Sequence, residues 1–223
     1  MSRDDHRPAD TIGGMGGGRR VAGSLLTIAL LAGCREPAAE RSAFDALPRD
    51  GITLAQRATW RGRLHWSDEC ESAFQASHAG DSGGVTITAL RPGGSLVEVI
   101  CAAGSYQPSV VRFKLAGAGD AVRAIGLTFP VYSSDDGRQL ALSRDTEVWG
   151  ESAVDAARGE VAILTVARQT ADCGVWTRYS LEGEQPAVLA AAARLDCPTP
   201  PGAPASPSAA SPPAGWTAIG RKD

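Results

Sequence analysis

The sequence predicts an all-β fold, mainly an antiparallel sandwich or a barrel-like sheet, with at most one or two short helices. Three observations support this prediction. Several short segments alternate apolar and polar side chains and are rich in β-branched residues. These segments recur about every ten residues, and turns rich in glycine and proline separate them. Short strands at this spacing are typical of antiparallel sandwiches and barrels.

Residues 1–33 have the layout of a secretory signal peptide. Arg19 and Arg20 precede an uncharged apolar run over residues 21–31, and small residues follow that run. The run is shorter than the ~20 apolar residues that are needed to cross a bilayer. A buried core helix is the alternative, but the run has no polar face at helical spacing. Met15 offers a second start site, which would give a shorter and more ordinary signal.

The apolar run ends in Leu-Ala-Gly-Cys, which resembles the lipobox of bacterial lipoproteins. The resemblance implies that Cys34 is acylated with palmitate or a similar chain and that this lipid anchors the protein to a membrane. Arg35 follows the cysteine, at the position where an aspartate tends to retain a lipoprotein on the inner membrane. The expected location is therefore the outer membrane of a Gram-negative bacterium, facing the periplasm.

The composition excludes some classes of partner. The whole chain has 22 cationic and 25 anionic side chains, and removal of the leader leaves 18 and 22, a net charge near −4. Such a mild balance disfavours nucleic acid and acidic lipid surfaces as partners. The sequence has no glycine-rich phosphate loop, and no cofactor is expected.

A tether and then a folded domain are predicted after the anchor. Residues 34–58 contain the lipidated cysteine and a polar, alanine-rich stretch, which predicts a flexible tether. A disulfide-stapled β domain is expected over residues 59–197. At its start, Trp60, Leu64 and Trp66 alternate with charged residues, and this alternation predicts an edge strand.

One short helix and a series of strands follow. Ser67 is expected to cap a helix over residues 68–77, because the first turn of this segment is acidic. Strands are predicted over residues 85–90, 95–101, 110–115, 121–129, 147–150, 161–166, 175–181 and 187–195. The first two strands are expected to form a hairpin, and the last is alanine-rich and would also suit a helix.

The C-terminal region predicts a linker and a short tail. Residues 198–215 are almost entirely Pro, Ala, Ser and Gly, a composition that cannot bury enough apolar surface to order itself. Residues 216–223 form the tail, which brings Trp216 and Ile219. We expect these two large apolar side chains to dock back on the sheet.

Four cysteines remain after Cys34, and an even number in an exported chain predicts two disulfide bonds. Three connectivities satisfy four cysteines, and the sequence alone does not choose among them. The favoured pairing joins Cys70 to Cys101 and Cys173 to Cys197, so that each bond closes a loop within its own half of the domain.

A metal site is the alternative use of these thiols. Cys70 with His65 and His78 would supply the ligands. The sequence has no Cys-x-x-Cys pair, and an oxidising compartment disfavours free thiolates. No metal is therefore expected.

Two motifs resemble those of a known family. Residues 97–107 read Val-Glu-Val-Ile-Cys-Ala-Ala-Gly-Ser-Tyr-Gln. Asp-Cys-Gly at 172–174 precedes Trp176, an acidic and glycine turn at 182–184, and Cys197. Together they resemble the family catalogued as domain of unknown function 1176, where a Val-Glu-Val strand ends in Cys-x-x-Gly-Ala-Tyr-Asn. The resemblance covers nearly all of the predicted domain but implies no activity, because the family has none established.

Residues 80–84 read Gly-Asp-Ser-Gly-Gly, which matches the nucleophile motif of chymotrypsin-like serine proteases. That chemistry needs a histidine base, a buried aspartate and an oxyanion hole around the serine. Only His65 and His78 lie near Ser82 in the sequence, and no barrel precedes the motif. A tight glycine turn is the favoured interpretation, so no catalytic residue is expected and a hydrolase that uses Ser82 is the weakest alternative.

Four aromatic residues are candidates for a binding patch. Tyr106, Trp149, Trp176 and Tyr179 would suit a shallow surface for peptidoglycan, another sugar or a protein. The alternative is that they fill the core of a small β domain. We therefore expect a binding, interaction or envelope-associated protein. An inhibitor of a cell-wall hydrolase is the second hypothesis, by analogy with other small exported lipoproteins.

Overall fold

The computed structural model describes residues 43–134, 138–199 and 208–220 of the 223-residue chain. Within these residues it has two α-helices, one short 3₁₀ helix and twelve strands. The helices are α1 (Leu54–Leu64) and α2 (Asp68–Ser77), and the 3₁₀ helix is Gly119–Ala121. The strands are β1 (Val85–Ala89), β2 (Ser95–Ala102), β3 (Ser109–Ala116), β4 (Arg123–Gly126), β5 (Phe129–Ser133), β6 (Ala141–Asp145), β7 (Glu147–Trp149), β8 (Glu151–Asp155), β9 (Glu160–Val166), β10 (Gly174–Ser180), β11 (Ala187–Arg194) and β12 (Thr217–Ala218).

The strands form two five-stranded sheets and a two-stranded ribbon. Sheet A has the order β1-β2-β3-β4, and β7 also pairs with β3. Sheet B has the order β12-β11-β10-β9-β8, and the ribbon is β5-β6. Every pairing is antiparallel, and neither sheet of the described chain closes into a barrel. The prediction of a mainly antiparallel β fold with two short helices is confirmed.

The helices cover one face of sheet A, and the edge strand predicted at Trp60, Leu64 and Trp66 is wrong. Thr53 and Gln56 form a capping box that starts α1, with the Thr53 backbone nitrogen donating to Gln56 Oε1 at 2.9 Å. Arg57, Trp60 and Leu64 are the buried residues of α1. Their spacing of three and four residues places them on one side of a helix. The charged residues between them occupy the solvent side, which is why the sequence alternates.

The first core lies between the helices and sheet A. Trp60 and Leu64 of α1 pack with side chains of β2 and β3, and among these Val97, Val99 and Phe113 are buried. Helix α2 matches its prediction, since Ser67 Oγ accepts a hydrogen bond from the backbone nitrogen of Cys70 at 3.1 Å.

Arg57 is a buried cation that connects both helices to sheet A. Its Nε donates to Glu71 Oε2 at 2.9 Å, its Nη1 to the Gly83 carbonyl at 2.8 Å, and its Nη2 to the Ile100 carbonyl at 3.1 Å. The guanidinium also lies 3.6 Å from the centre of the Phe74 ring. The charge is therefore paired and its directional hydrogen bonds fix α1, α2 and β2 relative to one another.

The second core lies between the two sheets. Leu96 of β2 and Val148 of β7 pack with Val161 and Ile163 of β9 and with Tyr179 of β10, all of them buried. A polar bridge also crosses this interface. Glu98 Oε1 accepts from Arg112 Nε at 2.9 Å and from Ser152 Oγ at 2.8 Å, which ties β2 and β3 of sheet A to β8 of sheet B.

The C-terminal segment covers the outer face of sheet B. Trp176 Nε1 donates to the Ala209 carbonyl at 2.7 Å, and both residues are buried. Trp216 packs on the same apolar cluster, and the backbone nitrogen of Ile219 donates to the Ala191 carbonyl at 2.8 Å. The expected docking of the tail is confirmed, and residues 208–215 of the predicted linker are part of this cover.

The predicted tether also ends earlier than expected. Phe44, Leu47 and Ile52 are buried in the first core, and α1 begins at Leu54. Residues 43–58 therefore belong to the folded domain, because their few apolar side chains find a surface on the helices and sheet A. The sequence does not predict that this segment is folded, because its apolar residues are sparse and have no regular period.

Both predicted disulfide bonds are present. Cys70 of α2 is bonded to Cys101 of β2, with 4.5 Å between their Cα atoms. Cys173, just before β10, is bonded to Cys197, with 5.1 Å between their Cα atoms. The first bond joins the helices to sheet A, and the second fixes the chain that leaves β11. Cys70 is therefore not a thiolate ligand, and the alternative metal site with His65 and His78 does not form.

The ion pair at Arg57 predicts a loss of stability in acid. Burial raises the pKa of the Glu71 carboxyl, but hydrogen bonds from Trp66 and Arg57 and the Arg57 charge outweigh it, so the pKa lies below its usual range. The stabilisation is full above the ordinary pKa of about 4.3 and is lost as pH falls through the lower folded-state pKa. Glu71→Gln should lower the free energy of unfolding at pH 7 by about 2 kcal/mol and flatten its fall in acid, measured by urea denaturation. Glu182→Gln, at an exposed carboxyl, is the control; an equal flattening in this variant would contradict the assignment.

The docked C-terminal segment predicts that two neighbouring alanines respond differently to substitution. Ala209 is 4% exposed, whereas Ala210 is exposed. Ala209→Arg should force the segment off Trp176 and lower the free energy of unfolding by about 2 kcal/mol, measured by thermal denaturation. It should also speed proteolytic removal of the tail. Ala210→Arg should change neither quantity, and equal effects of the two variants would show that the segment is not docked.

Candidate functional site

An apolar cleft of about 350 Å³ opens at one end of the sandwich. The β5–β6 ribbon and β7 form one side, and the ends of β9, β10 and β11 form the other. Aliphatic side chains line much of its wall, namely Val131, Val148, Val166, Val175 and Leu195. A concave apolar surface with a few polar groups is the usual form of a ligand site.

Trp149 and Tyr132 provide the aromatic part of the cleft. Trp149 is 44% exposed although it is a large apolar side chain. Its backbone carbonyl accepts a hydrogen bond from Thr165 Oγ1 at 2.6 Å, which fixes β7 against β9. Its ring packs on Gly104, where an added Cβ would lie 3.1 Å from Trp149 Cζ3 and 2.1 Å from the Gln107 carbonyl oxygen. Gly104 has φ +64°, so only glycine fits this support without strain.

Charged side chains of both signs lie at the cleft. Asp145 and Glu147 come from the ribbon side, and Arg194 comes from the end of β11. None of the three forms an ion pair with another residue of the described chain. Asp145 accepts one hydrogen bond, from Ser143 Oγ at 2.8 Å. Charges that are not consumed by internal pairs are available to a ligand.

The structure divides the predicted aromatic patch into buried and exposed residues. Trp176 and Tyr179 are 3% and 2% exposed, so their assignment to a surface patch is wrong. Trp176 lies under the C-terminal segment, and Tyr179 Oη donates to the Pro130 carbonyl at 2.7 Å. Burial raises the pKa of Tyr179 to about 12, which keeps this donor protonated. Both residues are core, because the faces of β10 that carry them are covered.

Tyr106 is exposed and lies in the loop that supports Trp149. The loop is attached to the cleft wall, since Gln107 Oε1 accepts a hydrogen bond from the backbone nitrogen of Val166 at 2.9 Å. Tyr106 is 43% exposed but does not line the cleft itself. Of the four predicted aromatic residues, the structure therefore places Trp149 in the cleft and Tyr106 beside it.

The glycine-rich motif around Ser82 forms a turn. Ser82 Oγ accepts a hydrogen bond from the backbone nitrogen of Gly84 at 3.2 Å, and Ser82 pairs with Thr53 in an isolated bridge. Neither His65 nor His78 is hydrogen-bonded to Ser82 in the described chain, and His78 instead stacks on Phe74 with 4.3 Å between ring centres. This arrangement is that of a hydroxyl that stabilises a loop.

The sequence did not identify most of the cleft. The sequence did not indicate Tyr132, because the predicted strand over residues 121–129 ends before it, whereas the structure begins a separate ribbon strand at Phe129. Arg194 was overlooked because it lies in the alanine-rich segment whose secondary structure was ambiguous. Of the two aromatic residues that line the cleft, the sequence indicated Trp149 alone.

Several other expectations concern parts of the chain or chemistry outside the cleft. Cys34, the predicted lipidation site, lies outside the described residues. No helix among the described residues is both long enough and apolar enough to span a bilayer. In the same residues, no group of three or more His, Cys, Asp or Glu side chains is arranged to hold a metal ion.

Comparisons with known proteins found no matching family model, no similar curated protein and no similar solved structure. The resemblance to the domain of unknown function 1176 family therefore stays a prediction from the two motifs.

Proposed function

We propose that the chain is a periplasmic lipoprotein, anchored to the outer membrane through Cys34, whose β domain is a binding module. The ligand presents an apolar group to the cleft beside Trp149. The observation that carries this proposal is an exposed tryptophan on an apolar cavity whose neighbouring charges are not neutralised. Leaving such a surface open to water has a cost in free energy, which a ligand would remove.

The size and chemistry of the cleft favour an apolar ligand group of moderate size. A volume of about 350 Å³ is at the lower end of the range for small-molecule sites. Val148, Val166 and Val175 are buried or nearly so and form a rigid wall. Tyr132 and Trp149 add flat apolar surfaces whose polar atoms can still reach water or a ligand. Aliphatic and aromatic side chains form most of the lining, which supports the binding of an apolar group.

Binding of a neutral apolar fluorophore tests the cleft. The full-length chain with Cys34→Ser, made by cell-free synthesis under disulfide-forming conditions, should increase the emission of N-phenylnaphthylamine. Trp149→Ala should weaken this binding about tenfold, because it removes one wall of the site. Leu189→Ala, which shortens an exposed apolar side chain on β11 away from the cleft, should have no effect. No binding, or equal binding by both variants, would contradict the proposal.

Fractionation of cells tests the anchor. The wild-type protein should be found in the outer-membrane fraction, with a mass that shows loss of residues 1–33 and addition of lipid. Cys34→Ser should abolish both changes in mass, because the acyl chains and the cleavage depend on that thiol. Arg35→Asp should move the protein to the inner-membrane fraction, and Ser24→Ala should leave it where it was. An unprocessed wild-type chain in the cytosol would overturn the proposed location.

A further inference from the structure

A second cavity continues the cleft along the end of sheet B. This groove has a volume of about 640 Å³ and shares Arg194 and Leu195 with the cleft. Its remaining wall includes Leu140, which precedes β6, together with Gly215 and residues 217–219 around β12. The two cavities together therefore form an elongated site, with an apolar section beside Trp149 and a section lined by a strand edge.

The backbone of β12 has hydrogen-bonding groups that its partner strand β11 does not use. Ala218 lies opposite Ala192 of β11, and the next residue, Ile219, donates its backbone N–H to the Ala191 carbonyl at 2.8 Å. Alternate residues of an antiparallel strand direct their N–H and C=O toward the same neighbour. The N–H and C=O of Ala218 therefore point away from β11, and no backbone partner in the described chain takes them.

The edge of β12 carries neither a charge nor a proline, unlike two other edges of this domain. Strand β6 carries Arg144 and Asp145, and β8 begins with Glu151 and ends with Asp155. Charged residues on an edge strand discourage the addition of another strand. Strand β12 is Thr-Ala, flanked by tryptophan and isoleucine, and has no charge or proline. Its two residues limit the pairing to Ala218, where neither a charge nor a proline opposes an added strand.

We propose that the groove binds an extended peptide segment, which adds to the edge of sheet B at Ala218 and places one apolar side chain in the cleft beside Trp149. This inference rests on the proposed function, since it assigns a ligand class to the same cleft. A peptide satisfies both sections of the site at once. Its backbone pairs with Ala218, and an aromatic or branched aliphatic side chain fills the apolar section.

Charge and chemistry favour a peptide over a lipid chain or a glycan. An acyl chain would leave the N–H and C=O of Ala218 without partners, at the cost of a buried unpaired polar group. A glycan would place its hydroxyls against the aliphatic side chains of Val148, Val166 and Val175, which form no hydrogen bonds. Charges of both signs, from Glu147 and Arg194, suit polar residues that flank the apolar one in a peptide.

The test uses isotope-labelled full-length chain with Cys34→Ser and the blocked peptide acetyl-Ala-Ala-Phe-Ala-Ala-amide. Addition of the peptide at millimolar concentration should shift the NMR signals of the Ala218 amide and the Trp149 indole. Two further peptides each carry a single N-methyl group near the phenylalanine. The amide that is methylated in one peptide is adjacent to the amide that is methylated in the other. Because only alternate amides of a strand face its neighbour, one N-methyl peptide should bind at least tenfold more weakly and the other should bind like the parent.

A substitution in β12 provides an independent test of strand addition. Ala218→Pro removes the outward N–H and keeps the pairing with β11, so it should abolish peptide binding while the unfolding temperature stays unchanged. Ala218→Ser retains the N–H and should bind like the wild type. No shift with the parent peptide, or equal binding of both N-methyl peptides, would overturn strand addition. If the neutral fluorophore binds and the peptide does not, the peptide assignment falls alone; if neither binds, the proposed function falls with it.

Discussion

The burial of Arg57 is the constraint on which the helical side of the molecule depends. A guanidinium with so little exposure needs partners for its charge and its N–H groups, and it finds them in Glu71 and in two backbone carbonyls. Those partners belong to α2, to the turn before β1 and to β2. Any shift of one element would leave a buried charge unpaired. Directional hydrogen bonds, as well as apolar packing, therefore fix the positions of these elements. The disulfide between Cys70 and Cys101 reinforces the same contact.

Sheet A is covered on both faces as a result. The helices lie on one face and sheet B on the other, which explains why β2 is buried along most of its length. Sheet B is also covered twice, since the C-terminal segment packs on its outer face. The domain consists of stacked layers, and neighbouring layers bury most of the two faces of each sheet. The ends of the sandwich, where strands stop and the ribbon begins, are where an open apolar surface remains.

The cleft arises from this geometry. Strand β7 pairs with β3 in the register Ser109–Trp149, which carries Trp149 to the border of sheet A. The loop after β2 supports the ring through Gly104, and β9 holds the backbone through Thr165. The ribbon β5–β6 then encloses the space from the other side. Rigid secondary structure therefore holds the side chains that line the cleft, and a site that selects a ligand by shape requires such rigidity.

Local patterns in the sequence determined most of the strands, the hairpin of β1 and β2 and the capped helix α2. These features depend on alternation, turn chemistry and capping over a few residues. Tertiary structure decided that Trp60 and Leu64 belong to a helix, that Trp176 and Tyr179 are core, and that Tyr132, Trp149 and Arg194 meet at one cleft. The physical reason is that burial depends on what covers a face. A side chain on a strand has the same local pattern whether a second sheet, a distant tail or only water lies above it.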